Sequence, residues 1–225
     1  KNEDHTAEIE LLTENGLSGQ FARVKNLSET NRTGIAQNGM YLRKNVHYTF
    51  KGYFRKLNGK NKVTVSFYPQ GEWKKPIASV EIDKLEKKWQ QREIHFRGME
   101  YEGFATLMIA LNGNSVVDMD ALSLMPDDAV NGWRKDVVEM VRDSIKPGIL
   151  RWPGGCYASF YKWKDGIGNL DERPVRVSGH WGGFAYNDVG TLEYLDFCKN
   201  TGAEPFICLN MFHPKKENYS FYSPV

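Results

Sequence analysis

A chain of 225 residues exceeds the usual single-domain size, and its 40% hydrophobic and 26% charged residues are those of an ordinary globular protein. Thirty Lys and Arg against 28 Asp and Glu leave a net charge of +2, too little for a phosphate-tracking surface, which excludes nucleic acid as the expected partner. No apolar run approaches the ~18 residues of a membrane-spanning helix, so no membrane partner is expected either.

The first ten residues, KNEDHTAEIE, are polar and lack the apolar core of an export signal. Asn26, Asn31 and Asn218 open Asn-x-Ser/Thr triplets, a pattern too common by chance to decide anything. From Val46 to about Leu124 the apolar residues recur with a period of two. Tyr48, Phe50, Gly52 and Phe54 share one face, as do Val63, Val65 and Phe67, and Ala105, Leu107, Ile109 and Leu111. The segments LNGK, PQGEW and LNGNS separate these runs, and Trp89 to Phe96 and Val116 to Leu124 add two more. Such alternation predicts antiparallel strands with one buried face, hence a β-sandwich over residues 1–126. The basic stretch Lys84 to Arg97 is interleaved with Glu86, Glu93 and apolar residues and reads as a solvated strand face. Aromatic residues make up 13% of the chain, which suits either a large core or the apolar faces of sugars. Trp73 and Trp89 are the candidate sugar platforms, with core packing the expectation for Trp89.

After Pro126 the rhythm changes. DDAVNGWRKDVVEMVRDSIKPG places Trp133, Val137, Met140 or Val141, and Ile145 on one helical face and stops at Pro147-Gly148. The apolar run ILRW follows and is cut by Pro153-Gly154-Gly155. A second helix is predicted over NDVGTLEYLDFCKNTG, capped by Asn187 or Asp188, with a stripe through Leu192, Leu195 and Cys198 and a stop at Gly202. EPFICLN is a second short apolar run. Helix, strand, helix, strand predicts a parallel sheet buried on both faces. Two parallel strands do not make a stable sheet and a complete (β/α)8 barrel needs roughly 200 residues, so residues 127–225 read as an incomplete barrel segment. Either another strand partner comes from elsewhere or the chain is the front of a longer protein.

In parallel α/β folds ligands sit beyond the carboxyl ends of the strands. Pro153 removes a ladder donor and the glycine pair lets the chain turn, which delivers Cys156 and Tyr157 to that rim. Cys156, Cys198 and Cys208 are odd in number and widely spaced, with no metal-ligand pattern, so neither disulfides nor a metal site is expected and buried thiols are the default.

The ordered motifs of LRWPGGCYASFYKWKDGIGNLDERPVR and HWGGFAYNDVGTLEYLDFCKNTGAEPFICLN resemble the α-L-arabinofuranosidases of glycoside hydrolase family 51. They are Arg151 to Gly155, Trp163 to Gly168, Glu172 to Pro174, Trp181, Asn187 to Gly190, and Gly202 to Pro205. The resemblance implies a retaining enzyme that removes terminal arabinofuranosyl groups from plant-type polysaccharides, with an inserted carbohydrate-binding-like sandwich ahead of the barrel strands. It also implies that Cys156, Trp181, Asn187 and Asn210 contact an arabinose-containing saccharide, that no cofactor or metal is needed, and that the enzyme is secreted or periplasmic. A homo-oligomer of the parent enzyme is compatible with it. In the family the two catalytic glutamates lie beyond the fourth and seventh strands, so no catalytic residue is assigned here and the chain alone is expected to be inactive. Glu193 and Asp196 read as a solvated helix face and Glu204 as the opening of a strand. The sequence departs from the family at Gly183, Ala185 and Tyr186, and again at Met211 and Phe212. The alternative reading is a non-catalytic carbohydrate-binding protein acting through the sandwich.

Overall fold

The structure, a computed structural model, describes residues 7–13, 16–17, 19–59, 62–178 and 182–210. The chain divides into two compact units, Lys1–Asp128 and Ala129–Val225.

The first unit holds, among its described residues, nine strands: β1 (Ala7–Leu12), β2 (Phe21–Asn26), β3 (Arg32–Leu42), β4 (Tyr48–Gly59), β5 (Val63–Pro69), β6 (Ala78–Ile82), β7 (Gln90–Phe96), β8 (Gly103–Asn112) and β9 (Ser115–Pro126). They form a five-stranded sheet in the order β1-β2-β9-β4-β7 and a four-stranded sheet in the order β3-β8-β5-β6, with every pairing antiparallel. The alternating residues of β4, β5 and β8 all point into one shared core. Phe50, Phe54, Val63, Val65, Phe67 and Leu111 are fully buried there, at roughly 1.5–3 kcal/mol each relative to exposure. Phe67 meets Phe96 edge-on across the core, with ring centroids 4.8 Å apart. Strands β1 to β3 carry weaker alternation and were not expected from the sequence.

The outer face of the five-stranded sheet is held by a charge cluster. Asp118 is fully buried and accepts from the guanidinium groups of Arg23 at 2.7 and 3.1 Å and of Arg55 at 2.6 and 3.0 Å. Arg55 also covers the Trp89 ring at 4.5 Å, while Phe21 meets it edge-on at 5.5 Å. Trp89 is therefore a packing residue. Asn26 is also buried, and its amide donates to the carbonyls of Asn31 and Leu111.

The second unit carries α1 (Lys135–Glu139), β10 (Ile149–Trp152), β11 (Arg176–Val177), β12 (Phe184–Ala185), α2 (Thr191–Thr201) and β13 (Glu204–Ile207). The first helix differs from expectation. Regular α geometry lasts only to Glu139, and Met140–Ile145 continue as a π-helix, closed by Lys146 N–H on the Val141 carbonyl. The wider i→i+5 turn rotates the phase of the side chains. Val138 becomes the buried residue, Met140 and Ile145 are exposed, and Trp133 packs on Phe197 with centroids 4.5 Å apart.

The second helix is also rotated from the predicted stripe. Its buried positions are Tyr194, Cys198 and Thr201, spaced i, i+4, i+7, whereas Leu192 is exposed. The helix ends at Gly202, whose φ of 76° is the left-handed conformation glycine adopts freely. Strands β10 and β13 pair in parallel, Ile149 opposite Glu204 through Trp152 opposite Ile207. Burial on both faces does not hold among the described residues: all four β13 residues and Ile149 are exposed. Helix α2 covers this pair through Tyr194, which leaves Ile149, Phe206 and Ile207 exposed.

Candidate functional site

The carboxyl ends of β10 and β13 lead directly into the two segments that the sequence singles out. Cys208 N–H donates to the Trp152 carbonyl at 2.9 Å, extending the ladder by one bond, and Arg151 Nη1 lies 3.9 Å from Cys208 Sγ. Past the cis Trp152–Pro153 peptide the chain turns through Gly154 and Gly155 into a 3-10 turn, Gly155–Ser159. Only one glycine of the pair serves the backbone. Gly155 has φ of 56°, while Gly154 is extended and has room for a side chain.

Cys156 occupies this turn with its thiol exposed, contrary to the buried-thiol default; Cys198 is buried and Cys208 half-buried. The reason is the direction of the turn, which sends Tyr157 and Tyr161 inward instead. Tyr161 is buried, meets Trp152 edge-on at 4.7 Å and lies 5.4 Å from Tyr157. Its carbonyl accepts from Asn210 Nδ2 at 3.5 Å. Asn210, three residues beyond the end of β13, thus bonds the chain two residues past the Cys156 turn, at one end of the parallel pair.

Asn187 stands elsewhere and does other work. It is not the helix cap: α2 begins at Thr191, with Gly190 as its N-cap residue. Glycine has no capping oxygen, so the cap is one-sided, with the Glu193 carboxylate accepting from Gly190 N–H at 2.8 Å. Asn187 is buried with φ of 59°, and its amide donates to the Pro174 carbonyl at 2.6 Å. Its own carbonyl accepts from Arg173 at 3.0 Å. Trp181, Met211, Phe212 and Asn218 lie outside the described residues.

The centre of this region is Arg173, whose side chain is only 3% exposed. It grips both oxygens of Glu193 at 2.8 and 3.2 Å and donates to the carbonyls of Asn187 and Gly168 at 3.0 and 3.1 Å. Glu193 is therefore not on a solvated face. Burial by itself would raise its carboxyl, but the bonds from Arg173 and from Gly190 N–H outweigh that and hold it below the ordinary value. Asp196, in contrast, is half-exposed and accepts from Asn131 and Asn200, and Glu204 is exposed. Beside the Arg173 pair, Gly166 and Gly190 pass so close that a Cβ on Gly190 would sit 2.0 Å from the Gly166 carbonyl. A Cβ on Gly166 would lie 2.3 Å from the Tyr161 hydroxyl. That hydroxyl and Arg173 Nε have no hydrogen-bond partner among the described residues, and burial pushes Tyr161 up to about 12.

Tyr194 ties the layers together. Its hydroxyl accepts from Phe206 N–H at 2.8 Å and donates to the Leu150 carbonyl at 2.5 Å, bridging β13 and β10, while its ring stacks on Trp152 at 5.5 Å. Tyr161 and Tyr194 were not singled out from the sequence, and Arg173 entered only as the middle of the Glu172 to Pro174 motif. The spacing of Tyr157 and Tyr161 by one helical turn was the available signal for one of them.

Residues 141–219 match the family described as Alpha-L-arabinofuranosidase 1 domain. The chain is 44% identical over 81 residues to Alpha-L-arabinofuranosidase C of Emericella nidulans, covering 36% of this chain and 16% of that protein. It is 43% identical over 83 residues to an intracellular exo-alpha-L-arabinofuranosidase of Bacteroides ovatus, with the same 36% and 16% coverage. The chain thus matches about a sixth of the length of these curated relatives. An arabinose-bound GH51 α-L-arabinofuranosidase shares the fold over 89% of this chain and 36% of its own, with a TM-score of 0.73 at 20% identity. The similarity to the α-L-arabinofuranosidase 1 domain of the GH51 arabinofuranosidases thus lies in the second unit, over residues 141–219.

Proposed function

We propose that residues 127–225 are a segment of the (β/α)8 barrel of a retaining α-L-arabinofuranosidase, preceded by a carbohydrate-binding-like sandwich over residues 1–126. The segment supplies part of the pocket for a terminal arabinofuranosyl group of a plant polysaccharide, through Cys156, Trp181 and Asn210, while Asn187, buried on the Pro174 carbonyl, holds the backbone behind it. The observation that carries this reading is the bond from Asn210 to Tyr161, just past the Cys156 turn, beyond the carboxyl ends of the parallel β10–β13 pair, where such folds bind ligands.

Retaining hydrolysis needs two carboxyl groups roughly 5–5.5 Å apart, one of them protonated and ready to donate. Two carboxylates of this unit are engaged otherwise. Glu193 is locked to Arg173 and held ionised, and Asp165 accepts from Arg176 at 2.8 and 3.1 Å. In this reading the acid and the nucleophile come from other elements of the parent enzyme, and these residues orient the sugar. The chain should therefore release no aglycone from an aryl arabinofuranoside above the buffer rate. Enzyme-like turnover would overturn the allocation of roles.

A second reading, sugar binding by the sandwich without catalysis, is favoured by one observation: Trp73 leaves 53% of its surface exposed.

A further inference from the structure

We propose that one end of the outer face of the four-stranded sheet is a platform for a neutral oligosaccharide chain. The proposal rests on the reading of the sandwich as a sugar-binding module and is independent of the glycosidase assignment.

The platform follows from strand register. Ala105 and Leu107 point into the core, so Phe104 and Thr106 lie on the opposite face, where Phe104 is exposed and Thr106 is covered. Tyr41 lies opposite Phe104 on one side and Tyr68 opposite Thr106 on the other. Tyr41 and Phe104 meet edge-on at 5.4 Å, and Trp73, on the turn after β5, leans on Tyr68 at 5.5 Å. Tyr41, Phe104 and Trp73 remain 47%, 57% and 53% exposed. A solvated strand face normally carries polar residues at such positions, and large rings grouped in solvent mark an interaction site.

The surroundings favour a sugar. The rings stand on a stiff base, because Phe104's carbonyl accepts from Gln70 N–H at 3.0 Å and from the Tyr101 hydroxyl at 2.9 Å. The side-chain amide oxygens of Gln70 and Asn38 accept from Gly39 N–H and from Thr106 Oγ1, at 2.9 and 2.7 Å. Their N–H groups remain as donors for ligand hydroxyls. Glu102 accepts from the Tyr41 hydroxyl at 3.3 Å, and Glu72, Lys74 and Lys75 stand exposed beside Trp73, two charges of each sign, so neither dominates. A nucleic acid strand would need a basic track beside such rings. A hydroxylated chain with apolar C–H faces needs flat rings, amide donors and no net charge. With strands roughly 4.8 Å apart and outward residues roughly 6.8 Å apart along each strand, the rings can follow a short oligosaccharide.

The test is titration of the full chain with arabinoxylan, arabinan and β-glucan oligosaccharides by calorimetry, with circular dichroism to verify folding. Trp73→Ala and Phe104→Ala should each weaken binding about tenfold, while Leu27→Ala, exposed elsewhere on the sandwich, should leave it unchanged. Binding by the unmodified chain that survives both ring substitutions would overturn the platform and leave the sandwich reading standing. No binding to any of the glycans would overturn both, without touching the glycosidase reading. A dimer in sedimentation that Trp73→Ala dissolves, with no glycan bound, would assign the rings to self-association and also overturn the proposal.

Discussion

Arg173→Ala should loosen the second unit more than any surface substitution. The guanidinium is 3% exposed and makes four bonds, two to Glu193 and one each to the carbonyls of Asn187 and Gly168. Truncation leaves a carboxylate and two acceptors without their donor. Breaking a buried ion pair costs ~3–5 kcal/mol, and Glu193, 25% exposed, recovers part of that from water, so the lower end applies, about 3 kcal/mol. In equilibrium terms that is about a hundredfold more frequent opening. Amide hydrogen exchange over α2 reads it directly, with the β8 amides of the first unit as the internal reference. Acidification should act in the same direction. A carboxylate held below its unfolded value contributes stability above that value and loses it as pH falls through the folded one. Protection of α2 should thus decline below pH ~4.3, and Glu193→Gln should flatten that decline. If α2 exchange in Arg173→Ala stays within about twofold of the unmodified chain, below ~0.5 kcal/mol, the hub argument is wrong.

Three further substitutions probe neighbouring features. Gly190→Ala forces a Cβ to within 2.0 Å of the Gly166 carbonyl, a backbone atom that cannot step aside, and should cost more than ~3 kcal/mol by chemical denaturation. Tyr194→Phe removes the hydroxyl that joins Leu150 to Phe206 and should lower stability by ~1–3 kcal/mol, seen as faster exchange of the Phe206 amide. Tyr161→Phe deletes a buried hydroxyl that no described residue pairs, so denaturant midpoints should stay level or rise by up to ~1 kcal/mol. It should also remove a tyrosine ionising near pH 12 from the ultraviolet titration.

The sandwich was legible because its central strands bury one face and expose the other, so Phe50, Phe54, Val65 and Ile109 advertise their direction two residues at a time. Strands β1 and β3 sit at sheet edges, where fewer side chains must be apolar, and their pattern faded accordingly. In the second unit the two parallel strands were readable as short apolar runs between helices. Helical phase was not: Met140 and Ile145 scored as core residues, yet a π turn swung them outward, and Tyr194, polar at its tip, took the buried position expected of Leu192. The motifs located the turn after β10 correctly in the chain. They could not show that Asn187 spends its side chain on the Pro174 carbonyl, or that an arginine in the Glu-Arg-Pro motif pairs with Glu193 at the helix start, because both partners are distant in sequence and are brought together only by the fold.

The most direct test is amide chemical-shift mapping of the chain titrated with an arabinofuranosyl disaccharide. The account predicts shifts at Cys156, Tyr157 and Asn210, beyond the carboxyl ends of β10 and β13, with little change at Gly148 and Ala203 at their opposite ends. Shifts confined to the Gly148 and Ala203 end, or an unaltered spectrum at millimolar sugar, would contradict it.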